Sequence, residues 1–188
     1  QIAKAKAEIM NNIKKGGTII LNRDDSFYNY HKDIALKKKL NVISFSIKNK
    51  LSTIKLVRIK KVKNQYELLI NLNGNLVYFN SKNNNNSHLY NILATLAVIN
   101  LYKNVKNLKK DIFLNFKIPN GRGDITKINI NNKIFFLVDE SYNSNPLSLK
   151  IAVENFDKIE SGNSKKYLIL GDMLELGRHS TKQHKLMS

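Results

Sequence analysis

Apolar and polar residues fall in blocks along the second half of the chain. Residues 134–138 are all apolar, whereas residues 139–146 form a polar segment. Apolar residues then recur at helical spacing over residues 147–159, with Asn145 placed to cap that helix and Pro146 at its first position. The pattern predicts a buried strand whose C-terminal end is joined to a helix by a polar loop.

A second strand and loop follow the predicted helix. Residues 166–170 form another short apolar run, which ends at the glycine-containing segment 171–177. The order strand, loop, helix, strand, loop predicts an α/β fold with a parallel sheet. In such sheets ligands bind beyond the carboxyl ends of the strands, where free helix N–H groups favour anions. Residues 139–146 and 171–177 are therefore the first candidates for a functional site.

The first half of the chain mixes helical and strand patterns. Asn73-Gly74-Asn75 is a hairpin signal between two strands, and residues 118–123, with one proline and two glycines, predict a linker between domains. We predict helices over residues 2–14, 30–39, 89–101 and 108–116, and strands over residues 18–21, 42–45, 54–62, 66–72 and 76–79.

Lys6 is the one cation on the predicted apolar face of the first helix, which it shares with Ile2, Ile9, Met10 and Ile13. Two interpretations follow from the residues alone. The side chain could lie along the core and extend its ammonium to water. Alternatively, burial could favour a neutral amine that takes up carbon dioxide as a carbamate.

Polar residues also follow the first predicted strand, where the chain reads Asn22-Arg23-Asp24-Asp25. Two roles are open for these aspartates. They could lie close to a nucleotide or metal at the strand end, or one of them could cap the next helix.

The net charge of +18 raises nucleic-acid binding, but the pattern of charge argues against it. The basic residues are nearly all lysines and are spread along the chain together with many Asn and Ile residues, a combination that AT-rich codons explain. The absence of cysteine excludes disulfides and a cysteine nucleophile and fits the cytoplasm. No apolar run approaches the roughly 20 residues that span a bilayer. We expect a fragment of a cytoplasmic, monomeric protein without nucleic-acid binding or membrane insertion.

The motifs "DESYNSNP" and "LILGDMLELGRHSTKQH" resemble the C-terminal domain of the Mur ligases. They are most similar to the branch that reads D-D-S-Y-N-A-N-P and L-G-D-M-x-E-L-G, with Glu140 in place of the second aspartate. The resemblance implies an ATP-dependent amide ligase that joins D-alanyl-D-alanine to UDP-N-acetylmuramoyl-tripeptide through an acyl phosphate, in peptidoglycan precursor synthesis. ATP and Mg²⁺ are the implied cofactors.

The resemblance also implies a division into domains. Residues 1–118 would be the C-terminal part of a P-loop-type central ATPase domain, and residues 119–188 the start of a Rossmann-like C-terminal domain. The phosphate loop G-x-x-x-x-G-K-[ST] does not occur in this sequence. We therefore expect this piece alone to be inactive.

Several nucleotide-site residues follow from the same resemblance. It assigns Lys6 the role of a carbamate that helps to hold Mg²⁺, and Asn91, which matches G-x-H-N-x-x-N, a contact with the adenine. Arg122 matches a P-G-R motif whose arginine reaches the ATP phosphates. Asp139 or Glu140 would contact the ribose.

The segment 171–177 is implied to be a substrate loop that faces the cleft between domains. It carries Asp172 and Glu175, and Glu175 would contact the ammonium group of the incoming dipeptide. The alternatives are another Mur-type or folylpolyglutamate-type ligase, a basic nucleic-acid-binding module, and a non-catalytic nucleotide-binding protein. The G-D-M-L-E-L-G segment argues against the other ligases.

Overall fold

The computed structural model describes residues 2–115, 119–162, 164–174 and 176–186. The chain divides into two compact units, Gln1–Phe116 and Lys117–Ser188. The first unit contains, in chain order, α1 (Ile2–Ala7), a 3₁₀ helix (Glu8–Asn12), β1 (Thr18–Asn22), α2 (Tyr28–Lys37), β2 (Asn41–Ser46), β3 (Ile54–Val62), β4 (Gln65–Leu72), β5 (Asn75–Ser81), α3 (Asn86–Tyr102) and a 3₁₀ helix (Val105–Asn107).

The first unit is built on a five-stranded mixed sheet with the strand order β1-β2-β3-β4-β5. The first three strands are parallel, and β3, β4 and β5 form an antiparallel meander. α2 makes the crossover between β1 and β2, as parallel neighbours require. The prediction of an α/β fold is thus confirmed as a mixed α/β fold that contains a parallel sheet.

Helices cover both faces of this sheet. Ile20 and Ile43 pack towards the large core that includes α3, whereas Ile19, Leu21 and Val42 pack into a smaller core with residues of α2 and the N-terminal helix. Successive strand residues point to opposite faces, so a strand between two layers needs apolar residues on both. This explains why residues 19–21 of β1 are all apolar and why Val42 and Ile43 of β2 are both apolar.

The hairpin between β4 and β5 confirms the sequence prediction. Asn73 and Gly74 both adopt positive φ, at +48° and +92°. Two successive left-handed residues match the right-handed twist of the paired strands, and Asn followed by Gly accepts them at low cost.

The N-terminal helix differs from the prediction in which face it buries. Ala7 and Met10 are buried, whereas Ile2 and Ile9 are 75% and 64% exposed and Lys6 is exposed as well. From Glu8 the helix tightens to 3₁₀ geometry, in which residues three apart lie on one face, as Ala7 and Met10 do. The prediction that Lys6 lies on a buried apolar face is therefore wrong.

The helix predicted over residues 108–116 is also wrong for its described part, because residues 108–115 form turns. The Asn80 backbone N–H donates to the Lys110 carbonyl at 2.8 Å, which ties this segment to β5. Phe113 packs edge-to-face on Phe79, with ring centroids 5.4 Å apart. The segment thus buries the Phe113 side chain. The Lys110 carbonyl, which a helix would use for its own hydrogen bond, instead accepts a bond from the sheet.

The second unit contains β6 (Asp124–Ile130), β7 (Lys133–Asp139), α4 (Pro146–Asp157), a 3₁₀ helix (Gly177–His179) and α5 (Ser180–Lys185). The predicted start of α4 is confirmed, because the Asn145 side chain accepts hydrogen bonds from the N–H groups of Leu147 and Ser148, and Ser148 returns a bond to Asn145. This capping box and Pro146 define where the helix begins.

The parallel sheet predicted for this unit does not form among the described residues. β7 pairs along its whole length with β6, in antiparallel register, and residues 164–170 form no strand. A strand that is apolar on both faces needs a covering layer on each, and α4 is the only helix longer than two turns in the described part of this unit. The missed signal was Asn131-Asn132, whose φ values of +51° and +61° suit a hairpin turn.

No helix in the described part of the chain is long and apolar enough to cross a membrane.

Candidate functional site

In the second unit, the segment before β6 lies against the loop that follows β7. The Gly123 N–H donates to the Asp139 carbonyl at 2.7 Å, and the Tyr142 N–H donates to the Gly121 carbonyl at 3.0 Å. Arg122 lies between these two bonds. The structure therefore brings Arg122 to the same loop as Asp139 and Glu140, three of the four residues predicted to bind nucleotide.

Glycine is required on both sides of Arg122. Gly121 has φ +75°, and a Cβ there would lie 2.9 Å from the Tyr142 nitrogen. Gly123 has φ +86°, and a Cβ there would lie 2.8 Å from a Glu140 carboxylate oxygen. The left-handed backbone disfavours a larger residue at both positions, and at Gly121 the approach of the Tyr142 backbone excludes one as well. The two glycines thus permit the contact that holds Arg122 in place.

The Arg122 guanidinium stacks on the ring of Tyr142, 4.2 Å from the ring centroid. Arg122 is exposed, and no ion pair joins it to a carboxylate among the described residues. Such a cation–π contact contributes about 0.5–1 kcal/mol at an exposed site. It orients the guanidinium and leaves its charge available to an anion. Sequence reasoning missed Tyr142, although "DESYNSNP" contains it.

The two carboxylates after β7 are in different electrostatic states. Hydrogen bonds from Ser141 lower the pKa of Asp139 and outweigh its desolvation. Partial burial raises the pKa of Glu140, and the negative charges of Asp124 and Asp139 raise it further. One Asp139 oxygen accepts the Ser141 N–H at 2.9 Å. Asp139 therefore stays ionised to lower pH than Glu140, and a carboxylate in this state can accept a hydrogen bond from a ligand hydroxyl.

Asn91 lies in the first unit, on α3, one residue after Tyr90. Its side chain is exposed and makes no hydrogen bond to another described residue. A free amide can both donate to and accept from a purine edge. His88, one turn earlier, is buried, and its Nε2 lies 3.0 Å from the Ser81 hydroxyl. The helix cap is Asn85, whose side chain accepts the His88 N–H.

Asp24 connects three segments of the first unit. Its carboxylate accepts hydrogen bonds from the Ser46 hydroxyl at 2.6 Å, the Ile47 N–H at 2.9 Å and the Lys48 N–H at 3.2 Å. The Tyr90 hydroxyl donates a fourth bond at 3.1 Å. Asp24 thus joins the loop after β1 to the loop after β2 and to α3.

Asp25 has the separate role of forming the turn before α2. One of its oxygens accepts the Phe27 N–H at 2.7 Å. Of the two roles left open for the aspartates, Asp25 takes the local turn next to the helix, whereas Asp24 braces the edge of the sheet where the parallel strands end.

Replacing Asp24 with Asn is expected to lower the free energy of unfolding by about 1–3 kcal/mol. The amide NH₂ of Asn would replace one carboxylate oxygen, and the groups that donate to that oxygen would lose their acceptor. Burial raises the pKa of Asp24, but the bonds from Ser46, Ile47, Lys48 and Tyr90 together lower it below its ordinary value. The stabilisation is therefore complete above the ordinary aspartate pKa of about 4 and disappears as the pH falls through the lowered value.

Urea unfolding between neutral and acid pH measures this effect. The variant should lose less stability than the original chain on acidification. Asp25→Asn is the matched control, since its exposed carboxylate makes one local bond. If the free energy of unfolding fell equally on acidification with and without the Asp24 substitution, the stabilising role given to the Asp24 carboxylate would be contradicted.

Lys6 is exposed and forms no hydrogen bond or ion pair with the described residues. Its side chain is exposed, whereas the carbamate interpretation drawn from the residues alone required a buried side chain. No group of three or more His, Asp or Glu side chains that could hold a metal occurs among the described residues. The described residues of this chain therefore do not form a complete Mg²⁺ site.

Asp172 lies in the segment 171–177, with its side chain 92% exposed. Its carboxylate oxygen is 3.8 Å from Nε2 of His184. Glu175, the other predicted residue of this loop, lies outside the described residues. Sequence reasoning missed His184, whose position is set by the fold of α5.

Comparisons with known proteins agree with this architecture. The Mur ligase middle domain family model matches residues 1–99. The UDP-N-acetylmuramoyl-tripeptide–D-alanyl-D-alanine ligase of Rickettsia prowazekii (strain Madrid E) is 29% identical over 187 residues, which cover 98% of this chain and 40% of the relative. Its counterpart in Buchnera aphidicola subsp. Baizongia pistaciae is 27% identical over 99% of this chain and 38% of its own length.

Two solved structures show the same fold. The MurF ligase of Thermotoga maritima in complex with ADP has a TM-score of 0.73 at 20% identity and covers 99% of this chain and 40% of its own. MurF of Acinetobacter baumannii has a TM-score of 0.69 at 20% identity, covering 97% and 38%. The chain spans about two-fifths of the length of the relatives that it matches.

Proposed function

This chain belongs to the Mur ligase family, and we propose that the enzyme of which it forms part is an ATP-dependent ligase. In this proposal the enzyme joins D-alanyl-D-alanine to UDP-N-acetylmuramoyl-tripeptide during peptidoglycan precursor synthesis. The observation that carries it is the backbone contact between the Arg122 segment and the loop after β7, which brings the Arg122 guanidinium, stacked on Tyr142, to the loop that carries the ionised Asp139. The names of relatives that match nearly the whole chain support the choice of substrates.

We place residues 1–118 in the central ATP-binding domain and residues 119–188 in the C-terminal domain. The family match over residues 1–99 supports the first assignment. The motif G-x-x-x-x-G-K-[ST] does not occur in this sequence, so a P-loop-type site would need residues outside it. The ligase activity is therefore proposed for the complete enzyme and not for this piece.

The proposal gives each predicted nucleotide-binding residue its own contact. Arg122 would hold phosphate oxygens, because its planar fork is always charged and can make two parallel bonds. Asp139 would accept from a ribose hydroxyl, which its lowered pKa supports, since the carboxylate stays ionised. Glu140 would stay beside Gly123 and is the second carboxylate that could contact the ribose. Asn91 would contact the adenine with its free amide.

The proposed reaction has two steps. A carboxylate oxygen of the tripeptide attacks the γ-phosphorus of ATP, which forms an acyl phosphate and releases ADP. The amine of D-alanyl-D-alanine then attacks the acyl carbon, which forms the amide, expels inorganic phosphate and releases a proton. Activation is needed because the oxygen of a free carboxylate is a poor leaving group. Positioning and charge neutralisation supply most of the catalysis in phosphoryl transfer.

Lys6 and the substrate loop complete the proposal. Lys6, as a carbamate, would supply one ligand for the Mg²⁺ that neutralises phosphate charge when bound. Asp172 and Glu175 would face the incoming dipeptide, with Glu175 close to its ammonium group. The cytoplasmic location and monomeric state expected from the sequence remain part of this proposal. The basic nucleic-acid-binding alternative is not favoured, because both matched relatives are named as ligases.

The test is a ligation assay with the complete enzyme, ATP, D-alanyl-D-alanine and a tripeptide substrate whose terminal carboxylate carries heavy oxygen. The assay follows both the peptide product and the released phosphate.

A further inference from the structure

His184 on α5 reaches back to the segment that carries Asp172. Its Nε2 lies 2.9 Å from the backbone nitrogen of Met173. Its Nδ1 lies 2.9 Å from the carbonyl oxygen of Ser180, one turn earlier on the same helix. Both ring nitrogens are therefore engaged, one with the loop and one with the helix.

The chemistry of the two shortest contacts favours one tautomer of His184, and the Ser180 hydroxyl, 3.3 Å from Nδ1, can accept from the same N–H. A carbonyl oxygen can only accept a hydrogen bond, so Nδ1 must carry the proton. A backbone N–H can only donate, so Nε2 must present its lone pair. The neutral Nδ1–H form is the one that satisfies both bonds. An imidazolium would present a second N–H to the Met173 N–H and would lose that bond.

Asp172 does not compete for the same nitrogen. Its carboxylate oxygen lies 3.8 Å from Nε2, which is beyond hydrogen-bond distance. The lone pair on Nε2 points instead to the Met173 N–H, so no charged pair forms in the neutral state. The Asp172 side chain is 92% exposed and makes no hydrogen bond with His184.

Met173 is fixed by its side chain as well. It is 4% exposed, and it is the one buried hydrophobic side chain among the described residues of the second unit. Its neighbour Leu174 is 77% exposed. The loop thus has one anchored residue, held by burial of its side chain and by the bond from its backbone to His184.

We propose that His184 is a positioning residue that fixes the backbone of the substrate loop at Met173 and thereby the direction of the adjacent Asp172. The consequence for catalysis rests on the proposed function, whereas the bond between His184 and the loop rests on the geometry alone. A residue that acts in this way should affect the dipeptide that meets the loop and leave ATP, which Arg122 and Asn91 would bind, almost unaffected.

The kinetic test uses the complete enzyme. His184→Leu should raise KM for D-alanyl-D-alanine about tenfold, the effect of losing one well-placed hydrogen bond of about 1.4 kcal/mol, with KM for ATP unchanged. His184→Gln should stay within about threefold of the original enzyme, because its amide oxygen can accept the Met173 N–H. His179→Leu is the matched control, because His179 is an exposed histidine on the 3₁₀ helix directly before α5.

A nitrogen NMR spectrum of labelled histidines in the complete, unsubstituted enzyme tests the bond between His184 and Met173 without an activity measurement. We expect the neutral His184 ring to carry its proton on Nδ1 and its lone pair on Nε2. An Nε2–H tautomer, or an unchanged KM for the dipeptide in a folded His184→Leu enzyme, would overturn the proposal. If the unsubstituted enzyme ligates nothing, the proposed function fails, whereas the tautomer still decides whether His184 holds the loop.

Discussion

Replacing Lys6 with alanine in the complete enzyme is expected to abolish ligation, with a loss of about 100-fold or more, the upper end of what loss of a metal-site partner costs. The expectation rests on the proposal that Lys6 carries a carbamate, an anion that Mg²⁺ can bind where an ammonium would repel it. Because Lys6 is exposed and unpaired among the described residues, the substitution should change the free energy of unfolding by no more than about 0.5 kcal/mol. Initial rates and a thermal melt separate the two effects.

Three controls make the Lys6 experiment specific. Lys4→Ala removes an exposed lysine from the same helix and should leave the rate unchanged. Lys6→Arg keeps a cation that forms no carbamate under these conditions and should be as inactive as Lys6→Ala. Added short-chain carboxylates should restore part of the rate of Lys6→Ala by replacing the lost anion. Full activity of Lys6→Arg would show that Lys6 is a surface lysine without a catalytic role.

Replacing Arg122 with alanine is expected to weaken the use of ATP by about 1.5–3 kcal/mol, the cost of losing a hydrogen bond to a charged group. This corresponds to a rise of about 10- to 150-fold in KM for ATP. The guanidinium is exposed and is held only by its contact with Tyr142 among the described residues, so folding should be nearly unaffected. Steady-state kinetics with varied ATP give the measurement.

Variants around Arg122 distinguish charge, geometry and orientation. Arg122→Lys should recover only part of the loss, since an ammonium lacks the planar fork. Tyr142→Leu should raise KM for ATP by a few-fold, because the contact that orients the guanidinium contributes only about 0.5–1 kcal/mol. Lys127→Ala removes an exposed cation from β6 and should change nothing. Equal effects of the Lys127 and Arg122 substitutions would indicate general surface charge and would remove Arg122 from the site.

Local signals in the sequence predicted the elements that depend on local physics. Asn73-Gly74 identified its hairpin because the turn requires two residues that accept positive φ. Asn145 and Pro146 identified the start of α4 because a helix N-terminus needs a side-chain acceptor and tolerates a missing N–H. Neither feature depends on residues far away along the chain.

The errors arose where distant partners decide the structure. Residues 166–170 have the composition of a buried strand, but a strand also needs a neighbour, and these residues pair with no strand of the described part of the chain. Residues 108–115 have helical spacing, but their backbone pairs with β5 at Asn80. Lys6 was placed on a buried face by counting 3.6 residues per turn through a segment that becomes a 3₁₀ helix at Glu8.

The candidate site shows the same division. Arg122 and Asp139 were predicted because they lie in recognisable motifs. Tyr142, Tyr90 and His184 were missed because their roles come from contacts with residues that are distant in sequence or in a neighbouring loop: the guanidinium of Arg122, the carboxylate of Asp24 and the backbone of Met173. Such contacts follow from the fold and cannot be identified from the spacing of residue types.

Transfer of heavy oxygen in the ligation assay tests both the proposed acyl phosphate and the proposed dipeptide substrate. The complete enzyme receives ATP, D-alanyl-D-alanine and UDP-N-acetylmuramoyl-tripeptide labelled on both oxygens of its terminal carboxylate. We expect a product extended by two D-alanine residues, with one labelled oxygen in its new amide and the other in the released phosphate. The label reaches phosphate because the oxygen that bridges carbon and phosphorus in the acyl phosphate leaves with the phosphorus. Unlabelled phosphate, or ligation of a single amino acid in place of the dipeptide, would contradict it.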